Sequence, residues 1–98
     1  MMRYTSARPS PDVIFRDLEG EAVLLDLATG RYFGLNPVAT RVWVQLHEGT
    51  AIDRVIAAIA EEFDADPDEI ARDVAALLEE LASRGLLVLD PAPLPGAP

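Results

Sequence analysis

The sequence predicts an α+β fold in which a three-stranded antiparallel sheet is followed by three helices. The deciding observation is a change of apolar spacing at Asn36-Pro37, from the alternation of strands to the three- and four-residue steps of helices. The chain has 98 residues, 50% of them hydrophobic, which is enough for one domain with its own core. It contains no cysteine, so this core must form without disulfides.

The first half of the chain is predicted to form an antiparallel meander. Strands are expected over residues 13–18, 21–27 and 31–35. Glu19-Gly20 and Thr29-Gly30 supply the turns between them, because glycine adopts positive φ without strain. In the middle strand Val23, Leu25 and Leu27 share one aliphatic face, which we expect the helices to cover.

The second half carries helix start and stop signals. Helices are predicted over residues 37–48, 51–63 and 67–84. Asn36 and Asp66 are each followed by proline and are expected to cap the first and third helices, with Gly85 ending the third. Thr50, three residues before Asp53, resembles a capping box for the second helix. Trp43, among apolar neighbours on the first helix, is expected in the core.

Both ends of the chain are rich in proline and lack periodicity. We therefore predict a flexible N-terminal tail over residues 1–11, a domain over 12–89 and a Pro-rich C-terminal tail over 90–98. Residues 86–89 are expected to form a short final strand or an extended segment packed on the core. The apolar runs are too short to cross a bilayer and the N-terminus lacks a signal-like segment, so a cytoplasmic protein without a membrane partner is predicted.

The composition argues against nucleic acid and against catalysis. Seventeen acidic and eight basic residues give a net charge of −9, which repels phosphate backbones. His47 is the only histidine and has no evident nucleophile or second metal ligand near it in the sequence. The alternating carboxylates of residues 64–68 fit helix capping better than a calcium loop, because proline replaces a flexible ligand position. We predict a non-enzyme with no cofactor and no metal.

The strand over residues 31–35 is the expected docking site for a partner. It lies at the edge of the predicted sheet, where unpaired N–H and C=O groups can accept an added peptide strand. Tyr32 and Phe33 are adjacent, so they must face opposite sides, and one of them is available to a ligand. Glu69 and Asp73, on the charged arc of the third helix, are candidates to pair with a basic side chain of that ligand.

An ordered set of short motifs over residues 13–89 resembles the PqqD-like peptide-recognition domains, also called RiPP precursor-peptide recognition elements. The matching segments are Val23-Leu24-Leu25-Asp26, Thr29-Gly30-Arg31-Tyr32-Phe33-Gly34-Leu35-Asn36, Ala39 with Val42-Trp43, Glu48-Gly49-Thr50, Asp73-Val74, Leu77-Leu78, Leu81 and Gly85-Leu86-Leu87. Within that family the chain is most similar to the discrete recognition proteins of lasso-peptide biosynthesis.

The resemblance implies a winged-helix-like domain that binds the leader region of a ribosomally made precursor peptide. The leader is expected to add a strand in the cleft between the third strand and the third helix, and to be presented to a leader peptidase or another modifying enzyme. The implied peptide-binding residues are Arg31, Tyr32, Phe33, Gly34, Leu35, Glu69, Asp73, Val74 and Leu77.

The alternative function is that of a winged-helix DNA-binding protein, because this architecture serves DNA recognition widely. The exposed arc of the third helix is mostly acidic, with Glu69, Asp73, Glu79 and Glu80 against Arg72. A major-groove reader requires basic or amide side chains there, so peptide binding is favoured.

Overall fold

The structure, a computed structural model, describes residues 4–91. In chain order the elements are β1 (Tyr4–Pro9), β2 (Val13–Leu18), β3 (Glu21–Asp26), β4 (Arg31–Gly34), α1 (Pro37–His47), α2 (Ile52–Glu62), α3 (Pro67–Ser83) and β5 (Leu87–Pro91). The predicted α+β class and the predicted order of three strands and three helices are both confirmed within these residues.

Two separate antiparallel sheets are present. One has three strands in the order β2-β3-β4, and the other pairs β1 with β5. The β2–β3 connection is a two-residue turn in which Glu19 and Gly20 both have positive φ, 57° and 90°. This geometry matches the twist of the flanking strands, as in type I′ hairpins.

The face of β3 that packs on the helices is the opposite of the predicted one. Ala22, Leu24 and Asp26 are buried, whereas Leu27 is 56% exposed at the end of the face that carries Val23 and Leu25. The prediction was based on the number of aliphatic side chains on each face of β3, whereas the buried face is also stabilised by polar contacts. The backbone N–H of Ala22 donates to Thr40 Oγ1 of α1 at 2.8 Å, and the Asp26 carboxylate is used by the following turn. A face that satisfies its polar groups in this way can be buried at little cost.

The helix starts are fixed by side chains at two of three positions. Asn36 Oδ1 accepts from Ala39 N at 2.8 Å, and Asp66 Oδ1 accepts from Asp68 N at 3.1 Å, as predicted. The predicted Thr50 cap is wrong, because α2 begins after Ala51, which makes no side-chain capping bond. Helix α2 is instead held by burial of its apolar side, including Val55 at 0% exposure.

All three helices end in the same way. The residue after each C-cap, namely Gly49, Asp64 or Gly85, has positive φ. In α3 the N–H of Gly85 donates to Ala82 O and that of Leu86 to Leu81 O, which is the Schellman pattern. The predicted role of Gly85 is confirmed, and the reversal it creates directs the chain into β5.

Part of the predicted tail over 1–11 forms a strand, and residues 1–3 lie outside the described residues. Residues 4–9 pair with β5, and Ser10 donates from its N–H to Leu86 O and from Oγ to Gly85 O. Ala7 is 3% exposed, so β1 also contributes to the core. The other predicted tail begins inside β5, which extends to Pro91, and the rest of it, 92–98, lies outside the described residues.

The core lies between the inner face of the three-stranded sheet, the helices and the β1–β5 pair. Its largest fully buried side chain is Trp43, at 1% exposure, as predicted, and the Phe15 ring packs edge-on against it with centroids 6.4 Å apart. Within residues 4–91 no helix is both long and apolar enough to cross a membrane.

Candidate peptide-binding groove

Strand β4 has one open edge. It pairs with β3 on one side, and no strand among residues 4–91 pairs with the other. The N–H of Leu35 donates to Ala22 O at 2.8 Å, and in an antiparallel ladder such bonded pairs alternate with non-bonded ones. Phe33 is therefore bonded to β3, whereas the backbone N–H and C=O groups of Tyr32 and Gly34 point to the open edge.

A rigid turn delivers the chain into β4. The Asp26 carboxylate accepts from Ala28 N at 3.0 Å and from Thr29 Oγ1 at 3.1 Å. The N–H of Gly30 donates to Asp26 O at 2.7 Å, with Gly30 at a φ of 74° that favours glycine. These local bonds explain why an aspartate stands on the inner face of β3, and they fix where β4 begins.

A first cavity of about 480 Å³ lies between β4 and the C-terminal end of α3. Arg31 and Phe33 line it from β4, and Ser83 and Arg84 line it from the end of α3. The Arg84 guanidinium lies over the Phe33 ring, 4.8 Å from its centroid, so an arginine and an aromatic ring form one surface of this cavity.

A second cavity of about 300 Å³ lies between the N-terminal half of α1 and the first half of α3. Its lining is mostly apolar, with Asp73 as its one ionisable side chain. The lining residues are Asn36, Val38, Ala39, Val42, Ile70, Asp73, Val74 and Leu77.

The two cavities lie along the same helix. Helix α3 forms one side of both, and the continuous segment from β4 into α1 forms the other. We call this feature the β4–α3 groove. The Thr40 hydroxyl, which accepts from Ala22 N and lies 3.4 Å from Leu35 O, holds β3, the end of β4 and α1 together between the cavities.

The structure brings most of the sequence-predicted site residues to this groove, in different roles. Arg31, Tyr32 and Phe33 border the first cavity, and Asp73, Val74 and Leu77 border the second. Gly34 lies on the open edge of β4 and lines neither cavity.

Three of the predicted site residues depart from the expected picture. Leu35 and Val74 are 4% and 2% exposed, so they belong to the core, and Val74 forms only the floor of the second cavity. Glu69 is exposed and lines neither cavity.

Arg84, Ser83 and Val38 were missed from the sequence. The position of Arg84 had an available signal, since it follows Leu77 by seven residues and so returns to the same side of α3. For Val38 and its neighbours on α1 the sequence contained no such signal, because their apolar spacing is as typical of a helix buried against a core as of one that lines a cavity.

Comparison with known proteins gives the chain a family. The model of coenzyme PQQ synthesis protein D (PqqD) matches residues 21–87. The chain belongs to the PqqD family. This confirms the resemblance drawn from the sequence, and the matched residues include the whole β4–α3 groove.

Individual relatives of this PqqD-family chain agree in sequence and in fold. A PqqA binding protein of Rhizobium meliloti (strain 1021) is 36% identical over 70 residues, which cover 71% of this chain and 69% of that protein. The structure of TbiB1 in complex with the TbiA(beta) leader peptide is 38% identical, with a TM-score of 0.79 over 82% of this chain and 93% of that one. Lasso peptide synthetase B1 complexed with its leader peptide is 26% identical, with a TM-score of 0.78 over 85% and 98% of the two chains.

Proposed function

We propose that this PqqD-family chain is a non-catalytic binding protein for the leader region of a ribosomally synthesised precursor peptide. The observation that carries the proposal is the open edge of β4 between two cavities. Two relatives whose structures contain a leader peptide support the proposal, because both of them share this fold over most of the chain.

The leader binds by adding a strand to β4. The outward N–H and C=O groups of Tyr32 and Gly34 pair with its backbone, which supplies affinity without demanding a particular sequence. Alternate side chains of the leader enter the two cavities and supply selectivity. Because a leader that is disordered when free loses conformational entropy on binding, we expect dissociation constants of about micromolar rather than far tighter.

The polar groups of the groove are occupied in ways that suit binding rather than catalysis. Asp26 and Thr29 are used by the turn before β4, and Ser83 Oγ donates to Glu80 O at 2.7 Å. Chemistry on the precursor is therefore assigned to a partner, a leader peptidase or another modifying enzyme, to which this chain presents the bound leader.

The DNA-binding alternative gains no support from α3. Its exposed residues include Glu69, Asp73, Glu79 and Glu80, which would face the phosphates of a duplex. A fall in duplex affinity with rising salt, measured on the intact chain, would be the result that restores this alternative.

The proposal is tested by NMR titration of the ¹⁵N-labelled chain with the TbiA(beta) leader peptide as the probe. We expect the amide signals of Tyr32 and Gly34 to shift, with smaller changes in β1 and β5. Binding that leaves the 31–34 amides unmoved would contradict strand addition.

Gly34→Pro sharpens this test, because Gly34 N–H faces the open edge and proline removes that donor. Proline is tolerated on edge strands, and a Cβ at Gly34 meets no atom within 4 Å. Binding should weaken about tenfold or more, as expected for one lost hydrogen bond with steric blockage. The matched control, Gly34→Ala, keeps the N–H and should bind like the wild type.

A further inference from the structure

The basic side chains of the β4–α3 groove are confined to its first cavity. The chain carries a net charge of −9, yet two of its eight basic residues, Arg31 and Arg84, converge on the first cavity. The second cavity has Asp73, and Glu69 stands one turn earlier on the same helix. The first cavity thus carries two guanidinium groups, whereas the second carries none.

The two arginines retain capacity for a ligand. Arg31 is exposed and forms no ion pair with any residue between 4 and 91. Arg84 lies 3.6 Å from Glu80, but both side chains are about half exposed, so this pair is weak and exchangeable.

Besides Glu80, one other carboxylate lies near the two arginines. Asp26 also lines the first cavity, but its carboxylate oxygens already accept from Ala28 N and Thr29 Oγ1, and it is 8% exposed. A carboxylate arriving in the cavity would find the planar donors of Arg31 and Arg84 available, and such charge-assisted bonds are the stronger ones.

The distance between the cavities sets a spacing in the peptide. From the middle of β4 to Asn36 the chain advances about 13 Å at about 3.3 Å per residue. Along the other wall, Val74 of the second cavity and Ser83 of the first are nine helical steps apart, about 13 Å at about 1.5 Å per residue. An added strand covers this distance in about four residues, an even number that keeps both side chains on the same face.

We propose, resting on the function proposed above, that the leader carries two recognition residues. One is an aspartate or glutamate bound by Arg31 and Arg84 in the first cavity. The other is an apolar side chain about four residues away, which fills the second cavity. The protein then selects a peptide and sets its register by charge at the first cavity and by apolar fit at the second.

The test uses phage display of random peptides long enough to span both cavities, selected on the full chain and on Arg31→Glu. Selected peptides are first sorted by whether they shift the Gly34 amide. Among those that do, we expect an acidic residue at a fixed spacing of about four from an apolar one. On Arg31→Glu that position should change to Lys or Arg, and wild-type-selected peptides should bind about tenfold more weakly.

Arg54→Glu is the matched control. Arg54 is an exposed arginine of α2 that lines neither cavity, so the same charge reversal there should leave the selected motif unchanged. Arg84→Glu should act in the same direction as Arg31→Glu, with the circular-dichroism spectrum used to confirm folding.

The outcomes separate the two proposals. Some selected peptides could shift the Gly34 amide but show no acidic preference, or show the same preference on Arg31→Glu. Such peptides would overturn the proposed acidic recognition residue and would remain consistent with strand addition. If no selected peptide shifts the Gly34 amide, both the proposed acidic recognition residue and the proposed function fail.

Discussion

The two sheets of this protein are placed differently: the β1–β5 pair packs into the core, whereas β4 of the other sheet borders a groove. The β1–β5 pair joins the first and the last strand, and one residue of each strand, Ala7 and Leu87, is buried, at 3% and 4% exposure. In the β2–β3–β4 sheet, β4 keeps an unpaired edge beside a groove. Because β1 and β5 pair with each other, neither of them occupies β4.

The difference shows how a small domain keeps an edge available without exposing a long aggregation-prone strand. Strand β4 has only four residues, begins with the charged Arg31 and is bordered by α3. Short strands, edge charges and a flanking helix are the usual protections of free edges. The β1–β5 pair contributes to the core, and the edge of β4 is the one that borders the groove.

The largest expected effect comes from disrupting the β1–β5 pair. Ala7→Asp places a carboxylate at a position that is 3% exposed, and burying an unpaired charge costs several kcal/mol. We expect the free energy of unfolding to fall by about 3 kcal/mol, measured by urea denaturation followed by circular dichroism.

Val88→Asp is the matched control for Ala7→Asp, because Val88 lies on the paired strand β5 but is 41% exposed. It should change stability far less. If Ala7→Asp were as mild as the control, the first strand would be the flexible tail that the composition predicted.

A smaller effect is expected from changing the open groove. Leu77 is half-buried in the wall of the second cavity, and Leu77→Glu introduces a charge where an apolar leader side chain is proposed to bind. Leader binding should weaken about tenfold, or about 1.4 kcal/mol, by isothermal titration calorimetry.

Ala76→Glu adds the same charge one residue earlier, at an exposed position that lines neither cavity. It should leave the affinity nearly unchanged. Equal losses in the two variants would indicate a general charge effect rather than a contact in the second cavity.

The smallest expected effect concerns a polar contact of the β1–β5 pair. Ser6 Oγ donates to Asp90 Oδ2 at 2.8 Å, and Arg8 Nε lies 3.3 Å from the same oxygen. The Ser6 hydrogen bond and the charge of Arg8 lower the pKa of Asp90, and desolvation opposes them. A carboxyl whose pKa is lowered by folding adds stability above its unfolded pKa, and this is lost as the pH falls through the folded pKa.

Ser6→Ala should therefore raise the pKa of Asp90 towards its ordinary value, followed by NMR titration of the Asp90 carboxyl carbon. The variant should lose a small amount of stability near neutrality, where the carboxylate is ionised, and should approach the wild type as the pH falls through the acidic range. An unchanged Asp90 titration would mean that the Ser6 hydrogen bond does not form in solution.

The sequence predicted best those elements whose local chemistry is strong. Asn36 and Asp66 each combine a capping side chain with a following proline, so the starts of α1 and α3 were correct. Glu19-Gly20 and Gly30 located the turns of the meander for the same reason, since positive φ is a local requirement.

What could not be predicted depends on contacts between distant segments. The pattern of β1 contains few apolar residues, and its strand exists because β5, more than 70 residues away, supplies the hydrogen bonds. The inner face of β3 was assigned wrongly because the bond to Thr40 lies outside any local pattern. In the groove, the pairing of Arg84 with Phe33 joins two elements whose approach no spacing rule gives.

Trp43 gives this protein a built-in optical reporter. The indole is the only tryptophan, is 1% exposed and packs on Phe15, while the adjacent Val42 lines the second cavity. Its fluorescence emission is therefore expected at short wavelength in the folded chain and should move to the red only when the core opens. Spectra recorded during a peptide titration would thus distinguish docking, which leaves the indole enclosed, from loss of the native state.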